Sequence, residues 1–293
     1  MIDNPASCQA SVVEISSLSI RHKRATLTSS LAKACNYHST QLHTVQEKVP
    51  NMPSLTSHLI NLDETGLKEA TTHPFLKAAA TSSLPLPKLQ AWLAQDRLYA
   101  LSYVNFAASL LARVPASTSA DRPTSLAWRT TDLLIDSLTN IRAELKLFED
   151  TAAHEGWLDA ICNIPPTVPT RAYQDLFAGA TTSSRPLVVG LTVLWATEEC
   201  YLRSWRYAWS NMDFGLKARD KDVMQRVFIP NWSSGEFEAF VRRIGAVLNK
   251  FGSALDEGGE EWIECEAAYR QVLWAEKAFW PKMDEVRFEE DQK

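Results

Sequence analysis

The sequence is poor in the residues that mark several other classes of protein. Its 293 residues include only 5 cysteines, which are widely spaced and form no CxxC pair. This absence argues against a disulfide framework and against a thiolate zinc site. No apolar run approaches the roughly 20 residues needed to cross a bilayer, so we expect no membrane partner. There is no secretory hydrophobic region either, and the simplest expected location is the cytoplasm.

An excess of positive charge is also lacking. The formal net charge is −5 and the sequence pI is about 5.7, so we expect no nucleic-acid partner. The one basic run, Arg21-His22-Lys23-Arg24, is short and isolated, and we interpret it as solvated surface.

Large aromatic rings and helical periodicity are what the sequence has in abundance. Ten Trp, seven Tyr and eleven Phe could house a flat heterocycle, although filling space is their commoner use. From residue 53 to 293 the apolar period is helical almost throughout, which predicts a single all-α, multi-helix bundle. We expect helices near residues 63–73, 84–114, 125–155, 171–180, 187–211, 235–251 and 257–286.

The first 52 residues differ from the rest of the chain. Residues 1–52 are rich in Ser, Thr, Ala and His, and they sustain no apolar period. We predict a mobile N-terminal extension. Because the stretch has few acids and several basic and hydroxyl residues, a mitochondrial transit peptide is an alternative.

Three acids occupy positions where helix periodicity demands apolar residues. Asp96, Glu198 and Glu276 each lie on the apolar face of a different predicted helix, flanked by aromatic residues. A single buried acid is more often a structural anchor, but three that converge would indicate an active site. Tyr99 and Tyr201 lie one turn beyond Asp96 and Glu198, where each hydroxyl could orient its neighbouring acid or a ligand, or simply belong to a core tyrosine.

The cysteine nearest these acids is not expected to react. Cys200 follows Glu198 by two residues, which places it about 200° further around the helix. Neighbouring acids raise the pKa of a thiol, whereas a nucleophilic cysteine needs a lowered one. We interpret Cys200 as an inert packing residue.

Four short motifs, in the right order, resemble those of the TenA/thiaminase II family. They are His73-Pro74-Phe75 with Leu84-Pro85 and Gln95-Asp96, then Ala172-Tyr173, then the segment from Trp195 to Tyr201, and finally the segment from Glu276 to Trp280. The resemblance runs from about residue 60 to 285. It implies the heme-oxygenase-like α-helical bundle, and it makes a homo-oligomer an expectation, since the family is often tetrameric.

The resemblance also implies an activity. It points to a hydrolase of thiamine salvage that acts on an aminomethylpyrimidine or on thiamine itself. In the family the aspartate binds the amino edge of the pyrimidine, tyrosines line the pocket, and the closing glutamate transfers protons. Those roles fall on Asp96, on Tyr99 and Tyr173, and on Glu276.

Two departures from the family pattern qualify this expectation. Thr197 stands where one branch has a nucleophilic cysteine, and Glu198 is beside it, so the sequence resembles a glutamate-type branch. We expect Glu198 to position or deprotonate the attacking water, Tyr201 to line the pocket, and no thiolate cleavage of thiamine. Trp232 stands where a pocket tyrosine is expected, which removes one hydroxyl and can alter the substrate.

Other members of the fold are metal-dependent oxidases, and the sequence argues against that chemistry. They use a Glu followed closely by a His, whereas here the first histidine after Glu144 is His154, about 15 Å further along the helix. We therefore expect no metal and no cofactor. Two alternatives to the hydrolase stay open: a non-catalytic binding or regulatory protein, and an enzyme repurposed for another small heterocycle.

Overall fold

The described part of the chain is all helical. The computed structural model describes residues 53–217 and 221–283, and these residues contain no strand. The expected all-α class is confirmed, whereas the predicted mobile extension lies outside the described residues. The α-helices are α1 (Leu55–Leu62), α2 (Glu64–Thr71), α3 (Pro74–Ala80), α4 (Leu86–Arg113), α5 (Leu126–His154), α6 (Val168–Ala180), α7 (Leu187–Ser210), α8 (Ile229–Trp232), α9 (Gly235–Gly252) and α10 (Glu260–Phe279).

Short capping signals explain where the structure departs from the predicted helices. Asp63 ends α1, and its side chain accepts the backbone N–H of Gly66 to begin α2. His73 caps α3 in the same way through the N–H of Phe75. The periodicity had predicted one helix from Asp63, without α1 before it, and had not predicted α3. Both α1 and α3 are too short for apolar periodicity to reveal them.

The last helix ends earlier than predicted. α10 ends at Phe279, and Trp280 already has an extended backbone with ψ 132°. Pro281 follows, and the residue before a proline disfavours helical angles. The predicted continuation to residue 286 is therefore wrong up to residue 283, and its remainder lies outside the described residues.

Helix α7 runs through the middle of the bundle. It is buried along most of its length and packs against α2, α3, α4, α6, α8, α9 and α10. Asp96 on α4, Glu198 on α7 and Glu276 on α10 thus project from helices that share one interior. Close packing elsewhere relies on glycine, since a Cβ at Gly252 on α9 would lie 2.6 Å from the Cβ of Leu55.

None of the helices in residues 53–217 and 221–283 combines the length and the apolar character that a membrane span requires.

Candidate active site

Asp96 on α4 is buried against the central helix. Its carboxylate accepts a hydrogen bond from the hydroxyl of Tyr201 on α7, with 2.9 Å between the two oxygens. Burial raises the pKa of Asp96 to about 7, and the Tyr201 hydroxyl opposes that shift. From sequence, the Tyr201 hydroxyl could have oriented the acid on its own helix or a ligand, or belonged to a core tyrosine. The structure instead pairs it with an acid on another helix.

Glu276 on α10 has a comparable setting. The hydroxyl of Tyr173 on α6 donates to its Oε1 over 2.5 Å, and both side chains are buried. Burial raises the pKa of Glu276 to about 8; the Tyr173 hydrogen bond lowers it, and the charges of Asp96 and Glu198 raise it further. A carboxyl group with this pKa is mostly protonated at pH 7, so it can serve as a proton donor.

Glu198 on α7 is only partly buried. Burial raises its pKa to about 7, and the nearby hydroxyl of Tyr103 opposes that shift. The Tyr103 hydroxyl lies close to Glu198 and Ser137, yet it is buried and makes no hydrogen bond of regular geometry. Unlike Asp96 and Glu276, the Glu198 carboxyl is therefore not held by a tyrosine hydrogen bond of regular geometry.

The three acids lie within electrostatic range of one another. The charges of Asp96 and Glu198 both raise the pKa of Glu276. The pKa of Tyr99 is raised mainly by burial, and the charges of all three acids raise it further. The Tyr99 ring packs edge-to-face on that of Tyr173, with 4.9 Å between their centroids. The structure thus brings together the three carboxylates that the sequence places on separate helices.

A fourth acid, Glu144 on α5, joins this group. The indole N–H of Trp232 donates to its Oε1 over 3.0 Å. Burial raises the pKa of Glu144 well above its usual value; the charges of Asp96 and Glu198 raise it further, and the Trp232 hydrogen bond lowers it. We call Asp96, Glu144, Glu198 and Glu276 the carboxylate cluster.

From sequence we considered Glu144 only as a metal ligand and did not predict its place in the cluster. The signal was nonetheless present. Glu144 lies on the same face of α5 as Ser137, Ile141 and Phe148, all of which are buried. It is an acid on an apolar stripe, like the other three.

Trp232, at which we predicted the loss of a pocket tyrosine hydroxyl, makes a polar contact of its own. Its ring is buried against Trp205, with 4.4 Å between centroids, and stacks on Phe228 with an interplanar angle of 14°. These contacts orient the indole N–H toward Glu144. The predicted loss of a hydroxyl stays a prediction, whereas the N–H donor is present in the structure.

An open cleft of about 520 Å³ reaches the carboxylate cluster between α5, α7 and α9. Of the predicted site residues, Glu198 and Trp232 line it, together with Glu144. The remaining predicted residues do not line the cleft. They are Asp96, Tyr99, Tyr173, Tyr201 and Glu276.

Cys200 is buried beside the cluster. Burial raises the pKa of its thiol well above the ordinary value, and the charges of Glu276 and Glu199 add to this effect. Thr197 donates its hydroxyl to its own helix, at 3.1 Å from the carbonyl oxygen of Val193. Neither side chain is set up as a nucleophile.

In the part of the chain that the structure describes, no three His, Cys, Asp or Glu side chains are arranged to hold a metal ion.

The described residues form an all-α bundle, and solved TenA structures place it in the class of helical proteins with a heme-oxygenase-like fold. Within that class, a family model described as the TENA/THI-4/PQQC family matches residues 61–285. The chain belongs to this family, and the resemblance to TenA/thiaminase II proteins is confirmed. The assignment to a glutamate-type branch stays a prediction.

Individual relatives are distant. A Fusarium pseudograminearum protein named a probable transcription factor is 26% identical over 272 residues, covering 81% of this chain and 54% of the relative. The chain thus spans about half the length of that relative. A Glycine max protein named a probable bifunctional TENA-E protein is 22% identical, covering 75% of this chain and 92% of the relative.

The fold is shared with solved structures. A TenA homologue from Pyrococcus furiosus superposes with a TM-score of 0.64 at 23% identity, covering 77% of this chain and 98% of the homologue. At this identity the likeness establishes the fold and not the substrate.

Proposed function

We propose that the protein is a hydrolase that removes the amino group of an aminomethylpyrimidine, a breakdown product of thiamine. The observation that carries the proposal is the carboxylate cluster itself. Three of its acids have pKa values raised to about 7, 7 and 8, which lie where acid–base catalysis at neutral pH requires them. Family membership and the name of the soybean relative support the substrate class.

The buried side of the cluster would hold the ring. The Asp96 carboxylate is oriented by Tyr201 and can accept the N–H of a pyrimidine amino group. Tyr99 and Tyr173 offer aromatic faces and edges for a flat ring beside it. Recognition by one fixed acceptor and packed rings is typical of small-molecule sites.

The reaction exchanges one bond for another at the exocyclic carbon. Water forms the new C–O bond, the C–N bond breaks, and the amine, bound as its ammonium, leaves as ammonia. Glu276 donates a proton to the ring while the C–N bond breaks and takes it back once the C–O bond has formed. Glu198, which lines the open cleft, takes the proton from the attacking water and releases it to solvent, so the products are the hydroxymethylpyrimidine and ammonia.

The direct test measures ammonia released from 4-amino-5-aminomethyl-2-methylpyrimidine by the purified full chain. We expect release of one ammonia for each hydroxymethyl product, with a saturable dependence on substrate. Calorimetric titration of the same pyrimidine and of thiamine should be run in parallel. The proposal would be refuted if the protein neither bound the pyrimidine nor released ammonia from it.

A second candidate is a pyrimidine-binding protein without catalysis. It is favoured by the name of the Fusarium relative, which describes a regulator and not an enzyme. A repurposed enzyme for another heterocycle is the third candidate, because Trp232 changes the wall of the cleft. Tight binding without ammonia release would support the binding protein, and turnover of a different heterocycle would support the repurposed enzyme.

A further inference from the structure

The cleft has an inner wall and an outer rim of different character. The inner wall is formed by the partly buried Glu144 and Glu198 with the buried Tyr103 and Trp232. Exposed polar side chains form the rim. They include Asn140, Asn231, Glu236 and Arg243.

The acids of the cleft favour a cation, because a bound positive charge stabilises the ionised forms of Glu144 and Glu198, whose pKa values burial raises. The cleft lining includes three acids, Glu144, Glu198 and Glu236, against a single base, Arg243. The Arg243 guanidinium is paired with Asp136, at 2.6 Å between Nη1 and Oδ2. A concave surface lined by acids concentrates cations and disfavours anions.

Glu144 is held in a defined orientation. Its Oε1 accepts the indole N–H of Trp232, whose ring packs against the rings of Trp205 and Phe228. Its other oxygen has no hydrogen-bond partner in the described part of the chain. A carboxylate fixed through one oxygen leaves the second one available to a ligand.

A third oxygen belongs to the same wall. The hydroxyl of Tyr103 is buried without a regular hydrogen bond, although it lies close to Glu198 and Ser137. The Ser137 hydroxyl donates to the carbonyl of Leu133, so its lone pairs can accept from Tyr103. An unpartnered buried hydroxyl on a cleft wall is a position that a polar ligand would satisfy.

We infer that Glu144, Glu198 and Tyr103 form a binding position for a primary ammonium group, with Trp232 as the residue that positions Glu144. A primary ammonium has three N–H donors, and this wall offers three oxygens. A hydroxymethyl group has one donor and no charge, so the same position binds it more weakly. Glu144 is then the residue that distinguishes the amine substrate from its alcohol product, a role that rests on the proposed function.

The test compares binding of the aminomethyl and hydroxymethyl pyrimidines by stopped-flow tryptophan fluorescence, which resolves binding before turnover. The variants are Glu144→Gln and Trp232→Phe, with Asp150→Asn as the control. Asp150 lies on the same helix with its side chain 62% exposed, so that variant removes the same charge away from the cleft.

We expect the wild type to prefer the amine by about tenfold or more, because charge-assisted hydrogen bonds are the stronger kind. Glu144→Gln should lose about tenfold in amine affinity and change alcohol affinity less than about twofold, which corresponds to one missing charged partner. Trp232→Phe should reduce the same preference by a smaller factor, and Glu144→Asp should retain part of it. Asp150→Asn should match the wild type.

Equal weakening of both ligands, or an unchanged preference, in Glu144→Gln would overturn the inference. If that variant does not fold, Trp232→Phe decides, since an unchanged preference there removes the positioning role and the ammonium site with it. Selective binding of the amine without ammonia release would refute the hydrolase activity and support the ammonium site. Ammonia release by the wild type, with an unchanged preference for the amine in Glu144→Gln, would support the hydrolase and refute the ammonium site.

Discussion

The buried and open halves of the carboxylate cluster differ in their partners and in their access. Asp96 and Glu276 are 3% and 6% exposed, and each accepts a tyrosine hydroxyl from a different helix. Glu144 and Glu198 are partly buried and line the cleft, with an indole N–H or a loosely placed hydroxyl beside them.

Burial raises the pKa in both halves, so the pKa alone does not distinguish them. What differs is how much of each carboxylate the protein already satisfies. A buried acid with a fixed hydroxyl partner is oriented before any ligand arrives, whereas an acid on a cleft wall can exchange protons with water. Orientation and proton exchange are thus assigned to separate halves of one cluster.

The largest expected effect is the loss of the proton donor in the buried half. Glu276→Gln keeps the shape and can still accept the Tyr173 hydroxyl, but it has no proton to give. We expect ammonia release to fall by about 10²–10⁴-fold, the usual contribution of a general acid, with KM changed only a few-fold. Glu261→Gln, an exposed change on the same helix, should be silent. Near-normal turnover in Glu276→Gln would remove that residue from the reaction.

A smaller effect, on stability, comes from the other buried acid. The pKa of Asp96 is about 7 in the folded protein against 3.8 for the ordinary value, so the folded state holds the proton more tightly. Stability is therefore lost as the pH rises through this window, by on the order of 2–4 kcal/mol. Asp96→Asn does not titrate and should unfold at higher urea than the wild type at pH 8.

The advantage of Asp96→Asn should shrink as the pH falls from 8 to 4, because the folded wild-type carboxyl becomes protonated below about pH 7 and the unfolded one becomes protonated only around pH 3.8. The same variant should bind the pyrimidine more weakly, since an amide at this position offers no charge to the amino edge. A constant stability difference between pH 4 and pH 8 would show that Asp96 does not titrate as described.

The pH dependence of turnover sharpens the division between the halves. Glu276 donates only while protonated, so activity should fall about tenfold per unit above its pKa of about 8. Glu198 accepts only while ionised, so activity should also fall below about pH 7. At saturating pyrimidine, where the charge of Asp96 no longer limits binding, Glu198→Gln should lower kcat and abolish its acidic limb while leaving the alkaline limb. A flat profile from pH 6 to pH 9 would contradict both assignments.

The smallest expected effect concerns Cys200. Its thiol is buried and its pKa is raised, so it supplies no thiolate at neutral pH. Cys200→Ala should retain ammonia release within about twofold, since no step of the proposed reaction passes through sulfur. The measurement is turnover of the wild type and of Cys200→Ala, each with and without a thiol-directed alkylating reagent. A strong loss of activity in Cys200→Ala, or a loss on alkylation of the wild type that the variant does not show, would indicate that Cys200 is a nucleophile.

Long helices were predictable from sequence, and short ones were not. The bounds of α4, α5, α7 and α9 lie within a few residues of the predicted ones because each sustains an apolar stripe over several turns. α1 and α3 span only 8 and 7 residues, and their ends depend on single capping contacts.

The sequence alone determined that this protein is helical and that Asp96, Glu198 and Glu276 face its interior. Periodicity is a local property, and it fixes the side of a helix on which each residue lies. The sequence did not determine that Tyr201 pairs with Asp96, that Tyr173 pairs with Glu276, or which acids reach the cleft. Those depend on the register and crossing of helices up to about 100 residues apart in the chain, which only tertiary packing sets.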